Sequence, residues 1–308
     1  MNAKVLEAIK RSAAVPSMPQ VVSRFLEIMQ DPNFDYADVV KVLSADAGTV
    51  GEILRLVNSA LFGVRQKVAS LRQALTLLGP KRTRSLLLGR YLVDALGGKS
   101  VGGLDMSYFW RRSLTSSVIG SRLADVVQPR SRDEVFIAAL LADIGIPILA
   151  EALPEQYRPL LTRYTPNGGT FTPAEEQTAL EVTHAEVSAM VLAHWSLPDA
   201  VYQAVNLHQS DSPGQGEVPT IARILNASDR IARLLCEIPD MDAAVRACRE
   251  ATTFIGVELN VLNRLLTTVE SDIEELAGAL RIDVVSSNVY TLIAKAVQDH
   301  LATPVPVA

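Results

Sequence analysis

Asp143 closes the run F-I-A-A-L-L-A-D-I-G-I-P-I-L, Phe136 to Leu149, so an apolar helix delivers a carboxylate at the mouth of the core. A carboxylate there must find a cation, a proton or N–H donors. His184 stands at a helix start, His194 near the end of that helix and His208 at the close of the next. Asp229 follows in A-S-D-R-I-A, inside a later apolar helix. Asp and His side chains from four helices can converge on a bundle interior and hold a divalent metal. Spacing leaves that open. The structural alternatives are hydrogen-bonded rings at helix ends for His184 and His208, and a favourable helix-dipole contact for His194. Trp110 and Trp195 read as core anchors, and Asn58 as a structural amide bonded to a neighbouring loop.

The elements that must position these groups are helices. Apolar residues recur at spacings of three and four, as in Val21, Val22, Phe25, Leu26 and Met29. No segment alternates apolar and polar residues long enough to argue a strand. Breakers fall at Asp31-Pro32, Gly63, Gly79-Pro80, Gly97-Gly98, Gln128-Pro129 and Asn167-Gly168-Gly169. Ser131 with Glu134, Thr172 with Glu175 and Thr183 with Glu186 fit capping boxes, and Pro173 fits a first helical position. Short capped helices joined by short loops predict a compact all-α bundle. Ser210 to Pro219, with two prolines and two glycines, is the expected boundary before further helices.

The chain has 308 residues, 48% of them hydrophobic and 20% charged, enough for a large core and too apolar for a disordered chain. The formal charge is 29 − 34 = −5, which argues against a nucleic-acid coat. The apolar stretch Ile137 to Leu153 is broken by Asp143, Pro147 and Glu151, so no membrane span is expected. Met1 to Arg11 lacks the apolar core of a signal peptide. Cys236 and Cys248 have no motif and read as reduced thiols; with the rest, this predicts a cytoplasmic protein. Charge is uneven. Between Ile53 and Val93 lie eight bases and no acid: Arg55, Arg65, Lys67, Arg72, Lys81, Arg82, Arg84 and Arg90. Between Asp133 and Pro219 lie twelve acids and two bases. The basic run is either one solvated face or a surface for an anionic ligand or acidic partner.

Several segments in order resemble one family. They are P-S-M-P-Q-V-V from Pro16, N-S-A-L-F-G from Asn58, Ala74 to Gly79, Phe109-Trp110 with Ser113, L-L-A-D-I-G, and T-H-A-E-V-S-A-M-V-L-A-H-W-S-L-P-D. This series is similar to that of HDOD domains, all-α relatives of the HD metal-dependent phosphohydrolases. The resemblance implies one HDOD domain over residues 15–210, with an N-terminal helical part at 15–96 and an HD-like part at 105–210. Further helices over 219–303 would pack on the HD-like part.

The resemblance also implies a metal site from which this chain departs. Arg112 stands where the family often has His, Ala142 replaces the His of the His-Asp pair, and Gln209 replaces the second His after His208. Asp143, His184 and His208 remain, and Asp229 corresponds to the last acid. Arg112 offers no lone pair and keeps its charge; pairing with Asp143 is the expected outcome. The expectation is therefore a degenerate pocket formed by Arg112, Ala142, Asp143, His184, His208 and Asp229, with no catalytic residue, no metal and no cofactor. The function implied is a non-enzymatic bacterial signalling module that binds a protein partner, with a cyclic di-nucleotide as a further ligand and homodimerisation open. The alternative is a phosphohydrolase or phosphodiesterase with a reduced ligand set.

Overall fold

A computed structural model describes the chain apart from residues 1–6, 10–14, 16, 30, 32, 45, 60–63, 65, 98–100, 102, 167, 169–171, 238–239, 283–288 and 303–308. Its described residues form helices and no strand element, an all-α fold. The N-terminal group is α1 (Gln20–Met29), α2 (Tyr36–Leu43), α3 (Ala47–Asn58) and α4 (Leu71–Gly97). The middle group is α5 (Met106–Val127), α6 (Arg132–Leu141), α7 (Gly145–Ala152), α8 (Pro154–Leu161), α9 (Pro173–Leu180), α10 (His184–His194), α11 (Asp199–Leu207) and α12 (Glu217–Cys236). The last group is α13 (Met241–Phe254), α14 (Leu259–Leu266), α15 (Val269–Leu280) and α16 (Val289–Ala302).

α5 is the axis. It is buried along most of its length, from Tyr108 to Ala124, because α6 and α12 flank it and α15 covers a further side. Such a helix must also bury polar residues its sequence carries, and each of its three arginines finds a carboxylate. Arg111 pairs with Glu270 of α15, Arg112 with Asp229 of α12, and Arg122 with Asp272 of α15. The helix that follows the 210–219 segment is a principal partner of α5.

Of the expected breaks, the one at Gly79-Pro80 is a physical one, while Pro32, Gly63, Gly98, Asn167 and Gly169 lie outside the described residues. Gly79 adopts φ 73° and ψ 171° and kinks α4, and Pro80 then opens the second half. Thr172 and Thr183 form complete capping boxes with Glu175 and Glu186. Ser131 does not cap α6 with its side chain. Its hydroxyl accepts from Gln128 Nε2 and donates to Glu217 of α12 instead. Asn58 donates to the Val68 carbonyl and accepts from the Val68 amide, pinning the segment that leads into α4. Pro129–Ala152 is long and apolar enough by composition to cross a membrane; here it divides between α6 and α7 and is buried.

One glycine decides how the site closes. At Gly145 a Cβ would stand 2.1 Å from the His184 carbonyl oxygen, so the start of α7 touches the start of α10 backbone to backbone. The Gly145 amide also donates to the Ser188 hydroxyl at 2.8 Å. Gly145→Ala is expected to destabilise the fold by about 3 kcal/mol, as overpacking against backbone rather than a yielding side chain. Urea denaturation measures it; a loss below about 1 kcal/mol would show that this contact is not rigid.

Candidate functional site

Three of the expected residues meet. Asp143 lies in the turn between α6 and α7, His184 begins α10 and His208 follows the last residue of α11. All three are buried. Asp143 Oδ1 is 3.4 Å from His184 Nε2 and 3.4 Å from His208 Nε2. The three ligand atoms lie within 4.8 Å of one another. His208 is fixed from behind, its Nδ1 2.6 Å from the Val205 carbonyl, and its own carbonyl accepts from Asn226 of α12.

The sequence reading missed Glu176. It is fully buried on α9, and its Oε2 stands 2.7 Å from His184 Nδ1 and accepts the His184 backbone N–H at 2.9 Å. That N–H is one of the unpaired donors at the start of α10, where a carboxylate is favoured. Tyr157 donates its hydroxyl to Glu176 Oε1 at 2.5 Å. A signal was present: Glu176 lies four residues before buried Leu180 and so shares the inward face of α9. Its neighbour Glu175 was absorbed by the cap.

His184 therefore sits between two carboxylates. Burial works against its charge, but Glu176 and Asp143 outweigh it and push the ring up to about 10. Burial alone would raise the Asp143 carboxyl; His184, His208 and the field of Arg112 hold it well below the usual carboxylate range. The Gln209 amide is 2.8 Å from His184 Nε2. With the ring protonated, Nε2–H donates and the amide, turned by half a rotation, presents its oxygen.

Arg112 does not pair with Asp143, as the sequence suggested. It binds Asp229 of α12: Nε reaches Oδ1 at 3.0 Å, and Nη2 reaches Oδ1 and Oδ2 at 2.9 Å each. Its guanidinium also lies over the Tyr164 ring, 5.0 Å from the centroid. Both Asp229 oxygens thus accept from a permanent cation. Ala142 is buried and offers only a methyl group. His194 is exposed in the last turn of α10, away from this cluster.

Among the described residues the basic run does not form one face. Arg90 is buried and paired with Glu52 and, at 3.3 Å, with Asp94. Arg82 pairs with Asp133, and Arg84 donates to the Ser196 carbonyl at 2.6 Å. Lys67 and Arg72 are exposed. Arg65 and the side chain of Lys81 lie outside the described residues. The acids that take up Arg82 and Arg90 come from α3, the exposed end of α4 and α6. Folding, rather than solvent, neutralises these charges.

Two donor sets can be tested against this geometry. The set expected of two metals does not fit: one position holds a cation, one a methyl, and the last acid is saturated by that cation. The set for a single ion fits by donor type. Ligands about 2.0–2.2 Å from one ion stand roughly 3–3.5 Å apart, as Asp143 Oδ1 does from each ring. Asp143 Oδ1 and His208 Nε2 are also buried without a hydrogen bond among the described residues.

The sequence model of the HDOD domain matches residues 15–211. This chain belongs to the HDOD domain family. Asp229 lies beyond the matched residues, on a helix the fold nonetheless places at the site. An HDOD domain protein of unknown function from Geobacter sulfurreducens shares the fold, with a TM-score of 0.68 at 19% identity over 89% of this chain and 96% of that one. A Shewanella amazonensis SB2B protein named “Putative phosphohydrolase” gives a TM-score of 0.69 at 20% identity, covering 90% of this chain and 98% of that one. A Treponema pallidum (strain Nichols) protein is 25% identical over 202 residues, 64% of this chain; the match spans 38% of that relative's length.

Proposed function

We propose that this HDOD chain is a non-catalytic module of bacterial signal transduction, acting in the cytoplasm by docking a protein partner. The observation that supports it is the Arg112–Asp229 pair. A guanidinium bound to both oxygens of the last acid removes one ligand and puts a fixed positive charge beside Asp143. A second divalent ion there would have to displace that cation from a buried site, and no imidazole waits at 142 to receive it. The helices then serve as surfaces, and a cyclic di-nucleotide is the candidate input.

The alternative reading is a phosphohydrolase built on one ion. The convergence of Asp143, His184 and His208 favours it. Glu176, accepting from His184 Nδ1–H, would orient that ring as carboxylates orient metal-binding histidines. A bound ion would supply a water made acidic enough to attack a phosphate ester. On this reading the ion competes with the proton on His184, since only the neutral ring offers its lone pair.

Turnover separates the readings. The full chain, supplied with Mn²⁺ or Fe²⁺, is expected to hydrolyse cyclic di-GMP and bis(p-nitrophenyl) phosphate no faster than Asp143→Ala. Hydrolysis that needs the added ion and disappears in Asp143→Ala would establish the enzyme instead.

A further inference from the structure

Helices α1, α2 and α3 pack on one another and on α4, and the group so formed meets the other helices mainly at two places. One is the second half of α4, which lies on α6. A Cβ on Gly89 would stand 2.8 Å from Ile137 Cδ1 there, and Arg82 and Arg84 bind Asp133 and the Ser196 carbonyl. The other is α15, which packs on α3 and α4 from beyond the family match.

The two ends of α15 are fastened differently. In its first turn Glu270 pairs with Arg111 and Asp272 with Arg122, both on α5. Arg111 and Asp272 are buried, so parting that end would strand charge in the core. Past its last turn, Arg281 reaches Glu52 of α3 at 2.8 Å, and Arg55 of α3 donates to the Gly278 carbonyl at 3.5 Å. Parting this end strands far less. The Arg281 side chain is 57% exposed and returns to water, and buried Glu52 keeps Arg90 of its own group. Arg281 ends α15 at φ 55°, a left-handed conformation where glycine is usual. Its side-chain contact, not its backbone, favours an arginine there. The seam is also incompletely packed: a groove of about 670 Å³ opens between α3 and α15 over Leu54, Val68 and Ala279.

We propose that α15 is a strap with a fixed end on α5 and a releasable end on α3. Release of Arg281 lets the N-terminal group rock about the α4–α6 contact and widens the groove. The group moves as one block, because Glu52–Arg90 and the 3.0 Å contact between Thr49 and Tyr91 tie α3 to α4. The molecule thus has one seam along which it opens without breaking its core, a sub-global opening below the free energy of unfolding. The strap needs neither partner nor reaction, so its failure and that of the docking reading are distinct.

The test is a distance measurement on the full chain by double electron–electron resonance. Nitroxides carried by unnatural amino acids replace Arg24 of α1 and Gln203 of α11, both exposed, which spares Cys236 and Cys248. The parent chain is expected to show mainly one distance. Arg281→Glu sets a carboxylate against Glu52 and should populate a second distance, different by about 5 Å or more, with the helical circular dichroism unchanged. Arg281→Lys keeps the charge and should keep the parent's distribution. The parent's distribution in Arg281→Glu, or a second distance equally populated in Arg281→Lys, would overturn the proposal. Loss of the helical signal in Arg281→Glu would overturn it too, since the seam would then belong to the core.

Discussion

Arg112→Ala is expected to destabilise the protein by about 3 kcal/mol, and Asp229→Ala by a similar amount or more. Arg112 is buried, and the Asp229 side chain is 19% exposed. Each has given up water for the other. Removing one partner leaves an uncompensated charge beside Asp143, with three hydrogen bonds lost together. The larger loss belongs to Asp229→Ala, because the stranded guanidinium cannot neutralise itself by shedding a proton. Replacing both partners with apolar side chains, Arg112→Met with Asp229→Leu, should recover most of the stability, since the desolvation cost goes with the charges. Urea denaturation of the parent chain, Arg112→Met, Asp229→Leu and their combination closes the double-mutant cycle. Single variants that each cost under about 1 kcal/mol, adding without coupling, would show that the pair does not close this pocket.

Stability should also fall as pH rises from about 6.5 to about 10. His184 has an ordinary value of 6.5 and is held up to about 10 in the fold by Glu176 and Asp143. Between these values the folded chain keeps a proton that the unfolded chain has released. The contribution is whole below 6.5 and disappears as pH passes through about 10. The shift corresponds to a loss on the order of 5 kcal/mol across that window, shared with Asp143 because the two groups form one interaction. Glu176→Gln should narrow the window, and His184→Gln should remove it. Denaturation midpoints across the pH range, with the His184 ring followed by NMR, check both. A ring that titrates near 6.5 would contradict the two-carboxylate clamp.

Much of this was legible in the residues because the signals were local. The two Thr–Glu capping boxes and the Gly79-Pro80 break depend on neighbours within four residues, and the fold keeps them. Ser131 had the same signature and failed because Glu217 and Gln128 claim its hydroxyl. That competition is set by how α12 lies against α6, which a short window of sequence does not contain.

The site was legible in part for the same reason. The L-A-D-I-G run places Asp143 in a turn, and its glycine permits the backbone contact that brings His184 close. Which acid Arg112 would choose depended on the path of α12, so Asp143 was the wrong partner and Asp229 the right one. The basic run misled because its acid-free window is bounded by Glu52 and Asp94, and both fold onto Arg90. Glu176 was hidden by the adjacent capping glutamate. A buried acid is recognisable only once the groups that stabilise it, here Tyr157 and the start of α10, are in place.

The most direct measurement is metal content: elemental analysis of full-length protein purified without chelator, joined to anomalous scattering from its crystals. The account predicts far less than one transition-metal ion per chain and no anomalous peak between Asp143, His184 and His208, even after soaking with Mn²⁺. One tightly held ion per chain at that point, lost in Asp143→Asn, would contradict it.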